Sequence, residues 1–292
     1  MPTVLPTDAI ARLVFGPANT PGRTLRRLRA PSLAATVAGR VALVTGASSG
    51  VGASVARRLA AAGATVLLVA RSADALAVVA DEIAAAGGRA EVRPCDLADS
   101  AAVATLAADV VAAHGGVDVL VNNAGRSIRR RVAQSVERGH DYRRTMQINY
   151  FGAVDLTLAL LPAMRERGGG RIVNVLSTAV HAGVPRFSAY TASKTALEGF
   201  SRCLSLEERS HGIRVTTVNL GLVRTPMIEP TAAFADAPAQ TPDDAARLVL
   251  EAIVTSPARL TTRMGAALAV MVAVAPTATD ALLHAAYRRG TA

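Results

Sequence analysis

From residue 41 onward, short β-branched or apolar runs alternate with alanine-rich stretches of helical spacing. The runs are VALVT (41–45), ATVLLVA (64–70), AEVRP (90–94), DVLVN (118–122), RIVNVLS (171–177) and IRVTTVN (213–219). The stretches between and after them predict helices near 50–62, 73–86, 100–114, 142–166, 188–210 and 242–255. Several runs are apolar at successive positions, so both faces of the strand need cover, as in a parallel sheet with helices on each side. Strand–helix alternation with right-handed crossovers predicts an α/β fold: a doubly wound, mostly parallel sheet flanked by helices.

The regular pattern occupies 39–256, and the flanks differ from it. Residues 1–38 carry five prolines, and Arg12, Arg23, Arg26, Arg27 and Arg29 against Asp8 alone. They read as a basic extension with helical pieces at about 8–15 and 22–29. The segment 222–241, with Pro226, Pro230 and Pro238, is too long for an ordinary connection and reads as a lid or substrate loop. Residues 257–292 read as a partly apolar helical tail packed on or beside the domain. No repeat is present.

Composition narrows the function classes. With 51% hydrophobic and 18% charged residues, disorder as the main state is excluded. Two cysteines, Cys95 and Cys203, cannot staple 292 residues, and the five histidines show no metal-ligand spacing, so no metal is expected. The longest uncharged apolar run, 264–275, has 12 residues, against roughly 20 for a bilayer span. The N-terminus lacks the basic start and apolar core of a signal peptide, so a cytoplasmic location is expected. The N-terminal arginines add peripheral contact with an anionic membrane to that expectation. Nine aromatic residues, no tryptophan and no recognition motif argue against nucleic acid, despite a net charge of +10.

The first strand runs into Gly46-Ala47-Ser48-Ser49-Gly50-Val51-Gly52 and then a helix. Glycines permit a tight turn and close backbone approach, and the helix aims N–H groups and its positive dipole end at a pyrophosphate. In this strand–turn–helix setting the turn marks a Rossmann-type dinucleotide site. A free ribose 2′-hydroxyl usually meets an acidic side chain about 20 residues on. Here the second strand ends at Ala70, followed by Arg71 and Ser72. A guanidinium suits a 2′-phosphate, so NADP(H) is favoured over NAD(H).

Of 32 basic residues 31 are arginine, and Lys194 is the only lysine. It stands four residues after Tyr190, on the same helical face. A nearby ammonium favours phenolate, so the pair predicts a tyrosine shifted toward working pH. Ser177 closes the fifth strand run, and strand C-termini face the ligand crevice in such folds.

TGASSGVG (45–52), Asn122-Asn123-Ala124-Gly125, Asn149, Ser177 and Tyr190-Thr-Ala-Ser-Lys194 resemble the short-chain dehydrogenase/reductase pattern over about residues 40–255. The resemblance implies that Tyr190 is the general acid toward a carbonyl and that Ser177 polarises its oxygen. Lys194 would bind the nicotinamide ribose and lower the tyrosine pKa, and Asn149 would hold a relay water. Asp96 with Leu97 would meet the adenine side, Asn123, Ala124 and Gly125 would support the cofactor, and Val223 with Thr225 would meet the nicotinamide carboxamide. A homo-oligomer is expected. Two departures stand out. The family usually reads Pro-Gly where this chain has Leu220-Gly221, which loosens the loop beneath the nicotinamide, and the tail replaces a glycine-rich ending.

NNAGRSIRRR (122–131), HDYRRTMQINYFGAV (140–154), RFSAYTASKTALEGFSRCL (186–204) and LVRTPMIEPT (222–231) further resemble bacterial short-chain-type fatty acyl-CoA reductases, which make aldehydes with NADPH. Arg126, Arg129, Arg130, Arg131, Arg143 and Arg144 would suit CoA phosphates, or form a solvated basic face. Three readings stay open: an acyl thioester reductase, a ketoreductase or alcohol dehydrogenase using the same site, and a non-catalytic cofactor-binding scaffold.

Overall fold

The computed structural model describes residues 7–289; the first six and last three residues, parts of the extension and tail, lie outside them. The elements run α1 (Thr7–Phe15), α2 (Pro21–Arg29), α3 (Leu33–Val37), β1 (Val41–Thr45), α4 (Gly50–Ala61), β2 (Thr65–Ala70), α5 (Ala73–Ala85), β3 (Arg89–Pro94), α6 (Ser100–His114) and β4 (Val119–Asn122). There follow α7 (Gly139–Met146), α8 (Gly152–Glu166), β5 (Gly170–Ser177), α9 (Ser188–Glu207), β6 (Ile213–Leu220), α10 (Pro242–Thr255), β7 (Arg259–Thr261), α11 (Arg263–Val274) and α12 (Pro276–Arg289). The sheet is seven-stranded and parallel throughout, in the order β3-β2-β1-β4-β5-β6-β7. After β3 the chain crosses over β1 to add β4, so the strand order reverses between β1 and β4. The crevice beyond the strand C-termini at such a switch point is where this architecture binds ligands.

Apolar strand residues alternate between two buried layers. Val44, Val66, Leu68 and Val173 face α4 and α10, while Leu43, Leu67, Leu120 and Ile172 face α6, α8 and the inner side of α9. The doubly covered sheet anticipated from the strand runs is thus the observed one.

Three details depart from the sequence expectation. The tail is not wholly helical: Arg259–Thr261 adds a seventh strand beside β6. The expected helix 142–166 begins at Gly139 and is interrupted over Gln147–Phe151 by a π-helical turn. The basic extension is bound to the domain. Pro17 bridges Thr262, the Arg263 N–H donates to Gly16 O at 2.8 Å, and buried Arg23 pairs with Glu251 of α10 through Nε at 2.6 Å and Nη2 at 2.7 Å. Phe15 reaches Gly221 at the end of β6, filling the space that glycine leaves. The loosening expected at Leu220-Gly221 is therefore met by an aromatic ring supplied from the extension. No helix among the described residues is long and apolar enough to cross a membrane.

Candidate active site

The glycine turn has the conformation its sequence predicts. Gly46 (φ 65°) and Gly50 (φ 54°) lie in the left-handed region. A β-carbon on Gly50 would come within 2.8 Å of Thr225 Cγ2, and one on Gly52 within 2.6 Å of Asn123 Nδ2. Ser49 makes no side-chain cap to α4, so the helix keeps N–H donors for an anion. Donors without a cap and a cradle that β-carbons would fill fit a pyrophosphate; Ser48, Ser49, Gly50, Val51 and Gly52 are the residues that would hold it.

The neighbouring turn is tied to the same place. Thr45 Oγ1 accepts from the N–H groups of Asn123 and Ala124, both at 3.0 Å, and Asn123 Nδ2 donates to Thr45 O at 2.9 Å. Thr225 reaches over Gly50 from the base of the 222–241 loop. That base is closed by a bridge between buried Val223 and Gln240, and by the Arg224 N–H donating to Gln240 O at 2.9 Å. Phe234 of the loop stacks on Phe187, three residues before Tyr190, with centroids 6.0 Å apart.

At the adenine end, Arg71 follows β2, exposed and without an ion pair among the described residues. Ser72 caps α5, accepting from the Ala75 N–H at 3.3 Å. Asp96 is exposed and accepts from the Ala98 N–H, while buried Leu97 packs on Gly152.

The catalytic candidates converge. Ser177 ends β5, Tyr190 and Lys194 lie on the first turns of α9, and the Ser177 and Tyr190 hydroxyls share a hydrogen bond. Lys194 is buried, and Nζ donates to Val175 O at 2.9 Å and lies 6.0 Å from the Tyr190 ring centroid. Burial without a carboxylate pushes Lys194 down to about 8. Burial also raises the Tyr190 phenol, against a lowering from the Ser177 bond. This direction is opposite to the one expected from the lysine: desolvation of the phenolate outweighs the Ser177 bond, and Tyr190 keeps its proton. Gly125 leaves room for Lys194, since a β-carbon there would lie 3.3 Å from Nζ.

Asn149 sits in the π-helical turn, a feature frequent at functional sites. Fully buried, it accepts the Arg126 N–H at 2.7 Å and donates to Arg126 O and Ser193 Oγ, both at 2.9 Å. Ser193 donates to Tyr190 O at 2.7 Å. Below this lies a polar ladder the sequence reading missed. Asn122 Nδ2 donates to Asn174 Oδ1 at 2.8 Å and Thr157 Oγ1 at 3.1 Å, and Asn174 Nδ2 donates to Ser201 Oγ at 2.7 Å, fastening α8 and α9 to the sheet. A lone asparagine inside the apolar run RIVNVLS was its signal. His181 was also missed. Half-buried after Ser177, it lies 3.1 Å from Asn219 Nδ2, and burial, helped by Arg259 and opposed by Glu198, lowers its pKa toward a neutral ring.

The arginines after Gly125 divide. Arg130 and Arg138 pair with buried Asp141 at 3.2 and 2.9 Å. Arg129 and Arg131 have no carboxylate partner among the described residues, and burial together with Arg186 and Arg131 lowers the Arg129 pKa. Arg186 adopts a left-handed φ of 71°, accepts the Arg130 N–H at 2.7 Å on its carbonyl, and places its guanidinium 5.5 Å from the Tyr287 ring centroid.

Comparison with known proteins agrees with this geometry. The short chain dehydrogenase family pattern matches residues 40–235. The chain is 50% identical to a fatty acyl-CoA reductase of Acinetobacter baylyi, over 85% of this chain and 84% of that protein. It is 46% identical to an uncharacterized oxidoreductase of Mycobacterium tuberculosis, over 97% of this chain and 86% of that one. A metagenomic short-chain oxidoreductase solved in complex with NADP is 38% identical, with a TM-score of 0.66 over 76% of this chain and 94% of that one. The match spans the glycine turn, the strand-end serine and the tyrosine–lysine helix alike, and the chain belongs to the short-chain dehydrogenase/reductase family of oxidoreductases.

Proposed function

We propose that this oxidoreductase uses NADPH to reduce a fatty acyl-CoA thioester to the aldehyde. The observation that carries the substrate is the divided arginine run. It leaves the catalytic centre at Arg126, bonded to Asn149, and ends in Arg129 and Arg131, charges without a carboxylate partner among the described residues. CoA phosphates supply the anion such a mouth lacks. The 50% identity to a protein named fatty acyl-CoA reductase supports the same reading. Arg71, free to meet a 2′-phosphate where a carboxylate would accept a ribose hydroxyl, supports NADPH.

A reduced nicotinamide cofactor, when bound, supplies the hydride to the carbonyl carbon. Tyr190 gives its proton to the carbonyl oxygen, which is why a phenol held protonated by burial suits reduction. Ser177 donates a hydrogen bond to the same oxygen. Lys194, whose Nζ donates to Val175 O, would donate its other hydrogens to the ribose hydroxyls. Both Nδ2 hydrogens of Asn149 are committed, so a relay water meets its backbone carbonyl or the second lone pair of Oδ1. The hemithioacetal then expels the thiol and leaves an aldehyde. Exposed Phe151, Leu158 and Leu206 in the α8–α9 region support a homo-oligomer.

The test is incubation with NADPH and a panel of acyl-CoAs, aldehydes and ketones, reading cofactor oxidation and free thiol together. Thiol released in step with NADPH oxidation, and a trapped aldehyde, are expected. Activity confined to ketones or alcohols moves the assignment to a ketoreductase with the same Ser177–Tyr190–Lys194 site.

A further inference from the structure

The extension and the tail meet at the β7 edge of the sheet. Ala18 N–H donates to Thr261 O at 3.0 Å, Arg263 Nη1 donates to Leu13 O at 3.3 Å, and α1 packs on α11. This assembly has two unusual properties. First, residues 7–39 and 257–279 contain seven arginines against Asp8 alone. Carboxylates elsewhere take up three of them: Arg12 on Asp244, Arg23 on Glu251 and Arg259 on Glu198. Arg26, Arg27, Arg29 and Arg263 have no acidic partner among the described residues, and all four are exposed. Second, large apolar side chains of the same helices stand in solvent. Leu28 and Val274 are each 79% exposed, Val270 is 62%, Leu13 58%, and Leu25 and Met271 are also exposed. In α11 only Gly265 is buried among twelve residues.

A water-facing surface gains nothing from bare leucines and valines, and a protein interface of ordinary composition would supply carboxylates to such arginines. Cations interleaved with apolar side chains, and almost no acid, are complementary to a surface that is anionic at its rim and apolar beneath. We propose that this face docks on an anionic lipid bilayer. Arg23, doubly bonded to Glu251, holds α2 rigidly with Leu25, Leu28 and the three free arginines outward. On its other side α11 touches the turn after Ser177, where a β-carbon on Gly265 would lie 2.7 Å from Thr178 Cγ2. The docked face therefore lies next to the catalytic cleft, where an apolar chain can pass between bilayer and site.

The experiment is co-sedimentation of the full chain with vesicles of phosphatidylcholine alone and of phosphatidylcholine with phosphatidylglycerol. Binding to the anionic vesicles only, weakened by salt, is expected. Each basic residue near such a surface is worth roughly fivefold, so replacing Arg26, Arg27 and Arg29 with Gln should cost about a hundredfold in partitioning. The double variant Leu28→Ser, Val274→Ser should also lose binding, while turnover of a short, water-soluble substrate stays at the wild-type rate in both variants. Sedimentation with neither vesicle, equal binding to both, or anionic binding untouched by either set of substitutions overturns the proposal. So does self-association that these substitutions abolish without any vesicle binding, which would assign the face to a second copy of the chain. None of these outcomes depends on which carbonyl the active site reduces.

Discussion

Replacing Gly221 with alanine probes the contact between the extension and the cofactor loop. Gly221 does not lie in the left-handed region, so alanine meets no backbone penalty and by itself would gain a few tenths of a kcal/mol through the unfolded chain. The whole cost comes from Phe15. A β-carbon would stand 2.8 Å from Cε1 and 2.9 Å from Cγ, and nearer still to Cδ1, whereas carbon pairs rest at about 3.5–4.0 Å. The ring would have to retreat by about 1 Å. It is 8% exposed, and the backbone just after it is pinned by the Pro17–Thr262 bridge and by the Arg263 N–H on Gly16 O. Overpacking of this kind costs about 1–3 kcal/mol, a fall in Tm of roughly 2–10 °C for a domain of this size. If Gly221 moves instead of Phe15, the displacement passes along 222–225 to Thr225 over the glycine turn, and kcat/KM falls with it. Phe15→Ala removes the obstacle. Urea denaturation of wild type, the two single variants and the double variant should then show Gly221→Ala to be harmless in the Phe15→Ala background, a coupling of about 1–3 kcal/mol. Additive effects, or a neutral Gly221→Ala, would refute the claim that Phe15 shapes this loop.

Tyr190→Phe keeps the ring and removes the proton donor; turnover should drop at least about 10²-fold with cofactor affinity retained, as steady-state kinetics and cofactor titration would show. Arg71→Ala should narrow the preference for NADPH over NADH by about 1–3 kcal/mol in paired titrations, and a wild type that prefers NADH would remove the premise. Lys194 falls from 10.5 as a free side chain to about 8 when buried, so its charged form is disfavoured in the folded state. That is a cost of roughly 3 kcal/mol at pH 7, shrinking as pH rises through 8 and gone above 10.5. Lys194→Met should accordingly stabilise the cofactor-free protein at neutral pH while abolishing turnover, with the gap in denaturation midpoint closing toward pH 10; a variant less stable at pH 7 contradicts this.

The site was more legible in the sequence than its support. Six of the seven strands announce themselves as apolar runs, and the solitary lysine points to Tyr190 through composition and helical spacing alone. β7 did not, because Arg259–Thr261 is three residues long and its assignment rests on pairing with β6. The π-helical turn at Asn149 is invisible to periodicity, since one extra residue in a helix shifts the pattern less than ordinary variation does. Arg129, Arg130 and Arg131 look equivalent as letters, and only the position of Asp141 separates a neutralised guanidinium from a free one. Ser72 read as a cofactor contact and serves as a helix cap, two uses of one short hydroxyl. Phe15 and Gly221 lie 206 positions apart, and no local rule links an aromatic residue in the extension to a missing proline at a strand end.

The order of synthesis gives the docked extension a further property. Arg23 finds Glu251 across 228 positions, and Leu13 finds Arg263 across 250. α1 and α2 therefore lack these docking partners until α10 and α11 have been synthesised. At 5–20 residues per second, the arginines and leucines of residues 7–29 spend roughly ten to fifty seconds as an undocked cationic, greasy segment of the nascent chain. Docking of this segment, through Arg23 on Glu251 and Leu13 on Arg263, therefore waits for α10 and α11, and a chaperone, surface or neighbouring chain can meet it in that interval.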